Sequence, residues 1–110
     1  MEANYVLYFI REALCNLPLA YEKRMFGGTC FMVNNKMCIC ANENAILCRI
    51  GHEQATLELE KGTCRPMMMN GRTSKDYVYV DLEDVKTMRQ LNYWINLCMH
   101  FNPMAKASKR

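Results

Sequence analysis

Lys23-Arg24-Met25-Phe26-Gly27-Gly28-Thr29-Cys30-Phe31-Met32-Val33-Asn34-Asn35-Lys36-Met37 is the stretch whose reading settles the architecture. Glycine is scarce, at 5 residues in 110, so the adjacent pair Gly27-Gly28 marks a backbone site that does not tolerate side chains. Apolar residues alternate after it and halt at Asn34-Asn35, and asparagine accepts the left-handed backbone that a two-residue hairpin turn requires. With such a turn Val33 pairs with Lys36, Phe31 with Cys38 and Thr29 with Cys40. Cys30, Met32, Met37 and Ile39 then share the opposite face. Both faces carry apolar side chains, so one packs on helices and the other is capped or paired between subunits.

Outward from the hairpin, Val6, Phe9, Ile10, Ala13, Leu14 and Leu17 recur at helical spacing, which predicts a helix from Asn4, its cap, to Leu17. Tyr5 and Tyr8 fall on another flank of that helix. Tyr21–Phe26 and Ala45–Ile50 read as strands on either side of the hairpin, and His52–Glu60 as a short helix stopped by Gly62. Cys64–Met69 and Asp76–Asp81 read as two further strands around a polar turn over 70–75. A last helix is predicted from Leu82 or Glu83 to Phe101, ended by Pro103. The order predicts an α+β fold in two layers: a mainly antiparallel sheet of about five to six strands with helices packed on one face.

Composition narrows the class. At 51% apolar and 23% charged residues this is an ordinary globular chain, expected as one domain over residues 1–102 with a flexible basic tail over 103–110. No apolar run approaches the ~18 residues that cross a bilayer, and Glu2 interrupts any basic leader. The expectation is a cytoplasmic protein with no membrane partner. Lys106, Lys109 and Arg110 hold the surplus charge; without them 11 basic residues face 11 acidic ones. A nucleic-acid binder usually carries a basic stripe on its folded surface. Lys23 and Arg24, with Arg49, Arg72 and Lys75 as candidate phosphate contacts, form at most a modest patch.

Seven cysteines, an odd number, are expected to be reduced thiols serving as core filling beside ten methionines. Cys38-x-Cys40 with Cys30, Cys48 and Cys64 invites a metal or redox reading. The spacing is not that of a structural zinc site, and the hairpin register puts Cys30 on the other face. His52 and His100 sit in no recognisable nucleophile motif, and Gly27-Gly28 lies in no phosphate-binding glycine pattern. No catalytic residue, metal or cofactor is therefore expected.

The chain resembles the N-terminal domain of the TfoX/Sxy family of bacterial competence regulators. The resemblance rests on Arg24-Met25-Phe26-Gly27-Gly28, the hairpin Cys30–Cys38, Arg49-Ile50-Gly51, Arg65-Pro66-Met67, Gly71-Arg72, Tyr77-Val78-Tyr79-Val80, Leu91-Asn92-Tyr93-Trp94 and Phe101-Asn102-Pro103. It implies a two-layer α+β domain similar to type III secretion chaperones, which often dimerise. It also implies a regulatory setting, since full-length members act in natural competence with the cyclic-AMP receptor protein at promoters. Those members carry a second, C-terminal domain for which 110 residues leave no room, so a stand-alone domain is expected. The expectation is a non-enzymatic regulatory homodimer with a transcription-regulatory protein partner. Lys23, Arg24, Met25, Phe26, Gly27 and Gly28 would be its interaction motif. The alternative is a nucleic-acid accessory protein that contacts phosphates.

Overall fold

The computed structural model describes residues 1–106; Lys109 and Arg110 of the expected basic tail lie outside the described residues. The first helix, α1 (Ala3–Leu14), buries Val6, Ile10 and Leu14, the residues at fourfold spacing. Its cap is Glu2 rather than Asn4: the Glu2 carboxylate accepts from the Asn4 and Tyr5 backbone N–H groups at 3.1 and 3.3 Å. The helix stops three residues short of Leu17. There the chain turns, with the Leu17 N–H bonded to the Leu14 carbonyl, toward Pro18 and the first strand.

Six strands follow: β1 (Ala20–Met25), β2 (Gly28–Val33), β3 (Lys36–Ala41), β4 (Ala45–Arg49), β5 (Arg65–Met69) and β6 (Arg72–Asp81). Helix α2 (His52–Lys61) connects β4 to β5, and α3 (Met88–Phe101) comes last. All neighbours are antiparallel, in the order β1-β2-β3-β4-β6-β5, so β1 and β5 are the free edges. Three two-residue turns have both central residues at positive φ: Phe26-Gly27 (54° and 71°), Asn34-Asn35 (56° and 62°) and Asn70-Gly71 (53° and 76°). That is the turn whose twist suits a hairpin. The polar segment expected as a long turn over 70–75 is thus mostly strand. Asn-Gly makes the reversal alone, and Arg72 onward already pairs with Met69.

The hairpin register departs from expectation at one residue. Val33 faces Lys36 as the turn requires, and Met32 faces Met37, but Phe31 then faces Ile39. Cys38 is an extra residue in β3, a β-bulge, and beyond it Cys30 faces Cys40 and Thr29 faces Ala41. Cys38, Ile39 and Ala41 consequently join Phe31 and Val33 on the helix side, while Cys40 moves to the other side with Cys30, Met32 and Met37. A second register shift lies between Pro66 and Met67.

Two apolar clusters result. The larger lies between the sheet and the helices, with Val6 and Ile10 from α1, Ala55 from α2, and Leu91, Trp94, Ile95 and Cys98 from α3. The smaller, Cys30, Met32, Met37, Cys40, Leu47 and Met67 with Met25, Tyr77 and Tyr79 beside it, contains no helix residue. Its six core members are nonetheless buried. Bulges increase twist and bend the strands they interrupt, and the sheet coils enough for the side chains of this face to shield one another.

The last helix starts at Met88 rather than near Leu82. Leu82–Asp84 form a single 3-10 turn, and Thr87 and Gln90 make a reciprocal capping box at the true start. Past Phe101 the fold continues instead of releasing a tail at 103. Asn102 is buried, donates to the Val33 carbonyl at 3.1 Å and accepts from the Asn34 amide at 2.9 Å. The Lys36 ammonium donates to the Asn102 and Pro103 carbonyls, and Ala105 is buried as well. Asn102–Met104 form a single 3-10 turn at this end of α3.

Gly28 supplies the tightest backbone approach. A Cβ there would lie 2.2 Å from the Ala41 carbonyl oxygen, a backbone atom held in the β2–β3 ladder. Gly28→Ala is expected to destabilise the fold by about 1–3 kcal/mol, read as a lower urea midpoint. Ala at Gly27, where nothing lies within 4 Å of the added Cβ, is expected to cost only the strain of its positive φ.

Candidate functional site

A cleft lies between α2 and α3. The two helices rest on the same sheet face without closing on each other and leave a volume of about 590 Å³ floored by Val80 of β6. Glu58 and Lys61 line it from α2, and Arg89, Tyr93 and Trp94 line it from α3. The Glu58 side chain is 1% exposed and fully engaged. One oxygen accepts from Gln54 at 2.9 Å, from Lys61 at 3.4 Å and from the Tyr93 hydroxyl; the other accepts from Thr63 at 3.3 Å. The Lys61 ammonium also sits 5.8 Å from the Tyr93 ring centre.

Burial alone would raise the Glu58 carboxyl, but the hydrogen bonds from Tyr93 and Gln54 and the charge of Lys61 hold it below the usual carboxylate range. The Tyr93 phenol is pushed up, first by donating to Glu58 and then by burial. A carboxylate tied to four donors is a poor general base, since each bond favours its charged form. Glu58 is a polar hub joining α2 to α3 across the floor of the cleft. Arg89 stands at the rim with no ion pair among the described residues. On α2 the structure buries Ala55 and Glu58 and leaves Leu59 half-buried. The sequence signal for Glu58 was its position three residues after Ala55, on the same helical face.

The helix-free side of the sheet is the second candidate surface, and the basic candidates scatter around it. Arg49 is 9% exposed on that side, its guanidinium over the Tyr77 ring at 5.5 Å and one nitrogen donating to the Met37 carbonyl at 3.4 Å. Its Nε has no hydrogen-bond partner among the described residues. Arg49 is thus a buried cation rather than part of a solvent-facing patch. Lys23 and Arg24 are exposed on edge strand β1, where Arg24 donates to Thr29 at 3.3 Å. Arg72 and Lys75 are exposed on β6, with β2, β3 and β4 lying between β6 and β1 in the sheet. The structure does not bring these five together. Met25 is half-buried beside the smaller cluster, Phe26 is a 40%-exposed turn residue, and Gly27 and Gly28 complete the turn.

No group of three or more histidine, cysteine, aspartate or glutamate side chains able to hold a metal occurs among the described residues. His52 begins α2 and His100 ends α3, both exposed. The cysteines part in three ways. Cys30 and Cys40 are joined as a disulfide, which corrects the expectation that all seven are reduced thiols. Cys38, Cys48 and Cys98 are free and buried in the helix-side core, where the Cys38 thiol donates to the Met99 sulfur at 3.8 Å. Cys15 is exposed and Cys64 half-buried, each alone. The Cys38 thiol is pushed well up, first by its bond with Cys98 and then by burial; burial chiefly raises Cys98, so neither is a ready nucleophile.

Six antiparallel strands with three helices packed on one face define a small α+β domain. The chain belongs to the TfoX N-terminal domain family, whose model matches residues 12–102. No curated protein and no solved structure matches it. No helix among the described residues is long and apolar enough to cross a membrane.

The Glu58–Tyr93 contact carries a pH-dependent prediction. Because the folded carboxyl is held below its unfolded value of about 4.3, its stabilisation is full above that value and disappears as pH falls through the folded one. Tyr93→Phe is expected to cost about 1–3 kcal/mol at pH 7, with the deficit shrinking once Glu58 is protonated. Urea unfolding of both proteins from pH 7 down to pH 2.5 checks this, roughly spanning the transition. A deficit constant across the range would contradict it.

Proposed function

We propose that this chain is a non-enzymatic regulatory module that works by protein–protein contact, in the cytoplasm, as a homodimer acting on a transcription-regulatory protein. The observation that carries the contact reading is edge strand β1. It lies at the end of the sheet, no helix or strand covers its outer side among the described residues, and four of its six residues are exposed. Tyr21 on the strand, with Leu19 before it and Phe26 after it, adds exposed apolar surface. β5, the other edge, contains Pro66, which lacks an N–H for pairing. Membership of a family of competence-regulator domains supports the regulatory setting.

The β1 sequence suits pairing with itself. A twofold axis normal to the sheet keeps both sets of helices on one side and requires facing residues to share a side of the sheet. An axis through Lys23 sets Glu22 opposite Arg24 of the second copy, twice, on the helix side. It sets Tyr21 opposite Met25, also twice, on the helix-free side, since Tyr21 pairs with Met32 there. The two Lys23 ammonium groups meet near the axis, and each Glu22 carboxylate, already paired with Arg11 of its own copy at 2.6 Å, faces the Arg24 guanidinium of the other copy as a second cation. The product is a continuous sheet of two copies with a doubled helix-free face, the surface on which a partner would rest.

Light scattering after size exclusion is expected to give about twice the 12.9 kDa chain mass at micromolar concentration. Arg24→Glu, which sets acid against acid, is expected to yield monomer. Adding Glu22→Arg to it restores opposite charges and should restore the dimer. A monomeric unaltered protein would remove the homodimer, and a dimer indifferent to Arg24→Glu would remove β1 as its interface.

A further inference from the structure

The bulge at Cys38 sets two of the seven cysteines apart. By shifting the β2–β3 register it places Cys30 directly opposite Cys40, with Cα atoms 3.9 Å apart, and the two are disulfide-bonded. Had the plain hairpin register persisted, Cys30 and Cys40 would have pointed to opposite sides of the sheet. The other five cysteines are free, including the buried Cys38, Cys48 and Cys98.

The surroundings of the pair differ from those of the buried trio. Cys38, Cys48 and Cys98 lie between the sheet and the packed helices. Cys30 and Cys40 lie in the cluster that no helix covers, among Met25, Met32, Met37 and Met67. Methionines are unbranched and change rotamer readily. Lys23 of the free edge strand β1 is the neighbour of Cys30 on its other side. Reaching this pair takes only the displacement of methionine side chains and one edge strand, whereas reaching the trio requires lifting α3.

We propose that Cys30 and Cys40 form a reversible dithiol/disulfide site, exchanging with low-molecular-weight thiols and disulfides of the glutathione type. In oxidation the Cys40 thiolate, the slightly more exposed of the two, attacks the disulfide reagent and forms a mixed disulfide, releasing one reagent thiolate. The Cys30 thiolate then attacks the Cys40 sulfur and releases the second. Two protons leave the protein, two reagent thiols form, and one protein disulfide is made. Reduction runs the same steps backward. In a reducing compartment a disulfide of this kind is transient and redox-sensing rather than structural. Its formation clamps β2 to β3 beside the bulge and so fixes the helix-free face in one register.

The test uses the full chain carrying Cys15→Ser and Cys64→Ser, which removes the two accessible lone thiols and leaves five cysteines. The protein is reduced with dithiothreitol, equilibrated with glutathione disulfide, unfolded in an alkylating denaturant and weighed intact. All five cysteines are expected to alkylate when reduced, and two fewer after oxidation. Peptide mapping should locate the loss at Cys30 and Cys40, and reduced glutathione should restore it. In the further variant Cys30→Ser, Cys40 is expected to trap one glutathione, because the second attack is gone. Full alkylation after oxidation, a loss mapped to Cys38, Cys48 or Cys98, or a Cys30→Ser protein that still forms an internal disulfide would each overturn the proposal.

Discussion

One extra residue in one strand decides what this sheet is. Strand side chains alternate strictly, so a register slip of one position exchanges the two faces. Cys38 introduces such a slip in the middle of the β2–β3 hairpin without disturbing its Asn34-Asn35 turn. Before the bulge, Met37 faces away from the helices; after it, Ile39 and Ala41 face toward them. The helix side thereby adds Ile39 and Ala41 to Cys38 and gives up Cys40. The far side holds Met37 and Cys40 from this strand. The same slip bends the sheet, and the bend lets a face without helices bury its own side chains.

That bend would be free to relax were the hairpin not held at its tip. Asn102 holds it. Its amide bonds to the Val33 carbonyl and the Asn34 side chain, while Lys36, on the other arm of the turn, bonds to the carbonyls of Asn102 and Pro103. The end of α3 is thus fastened to both arms of the hairpin, which spans nearly seventy residues of sequence separation. Further back along the same helix, Glu58 and Tyr93 join α2 to the middle of α3. α3 is fixed at two points, and the cleft between the helices keeps its width because a hydrogen bond, not apolar contact, bridges it.

The elements were legible where local chemistry determines them. Asn34-Asn35 and Asn70-Gly71 demand left-handed backbone and announce reversals, and Val6, Ile10 and Leu14 announce a helix by spacing. Boundaries failed where a cap residue outweighed periodicity, as with Glu2 at α1 and the Thr87–Gln90 box that opens α3 past Leu82. The bulge was not legible. Alternation reveals a register only when one face is polar, and residues 36–41 of β3 are apolar on both sides apart from Lys36. Cys30 and Cys40 were consequently assigned to opposite faces. The Glu58 hub was hidden for another reason, since its main partner lies 35 residues away on a helix whose orientation local pattern does not encode.

The composition of the helix-free face follows from the same geometry. A coiled sheet closes over a volume of irregular shape, and branched side chains with few rotamers fill such a volume poorly. Cys30, Cys40, Met25, Met32, Met37 and Met67 fill it with short thiols and flexible thioethers. Arg49 completes the lining with its guanidinium laid on Tyr77 and one nitrogen unpaired among the described residues. A buried cation without an acid beside it raises the free energy of the isolated domain. The Tyr77 ring and the Met37 carbonyl are the groups that offset part of that cost within the domain.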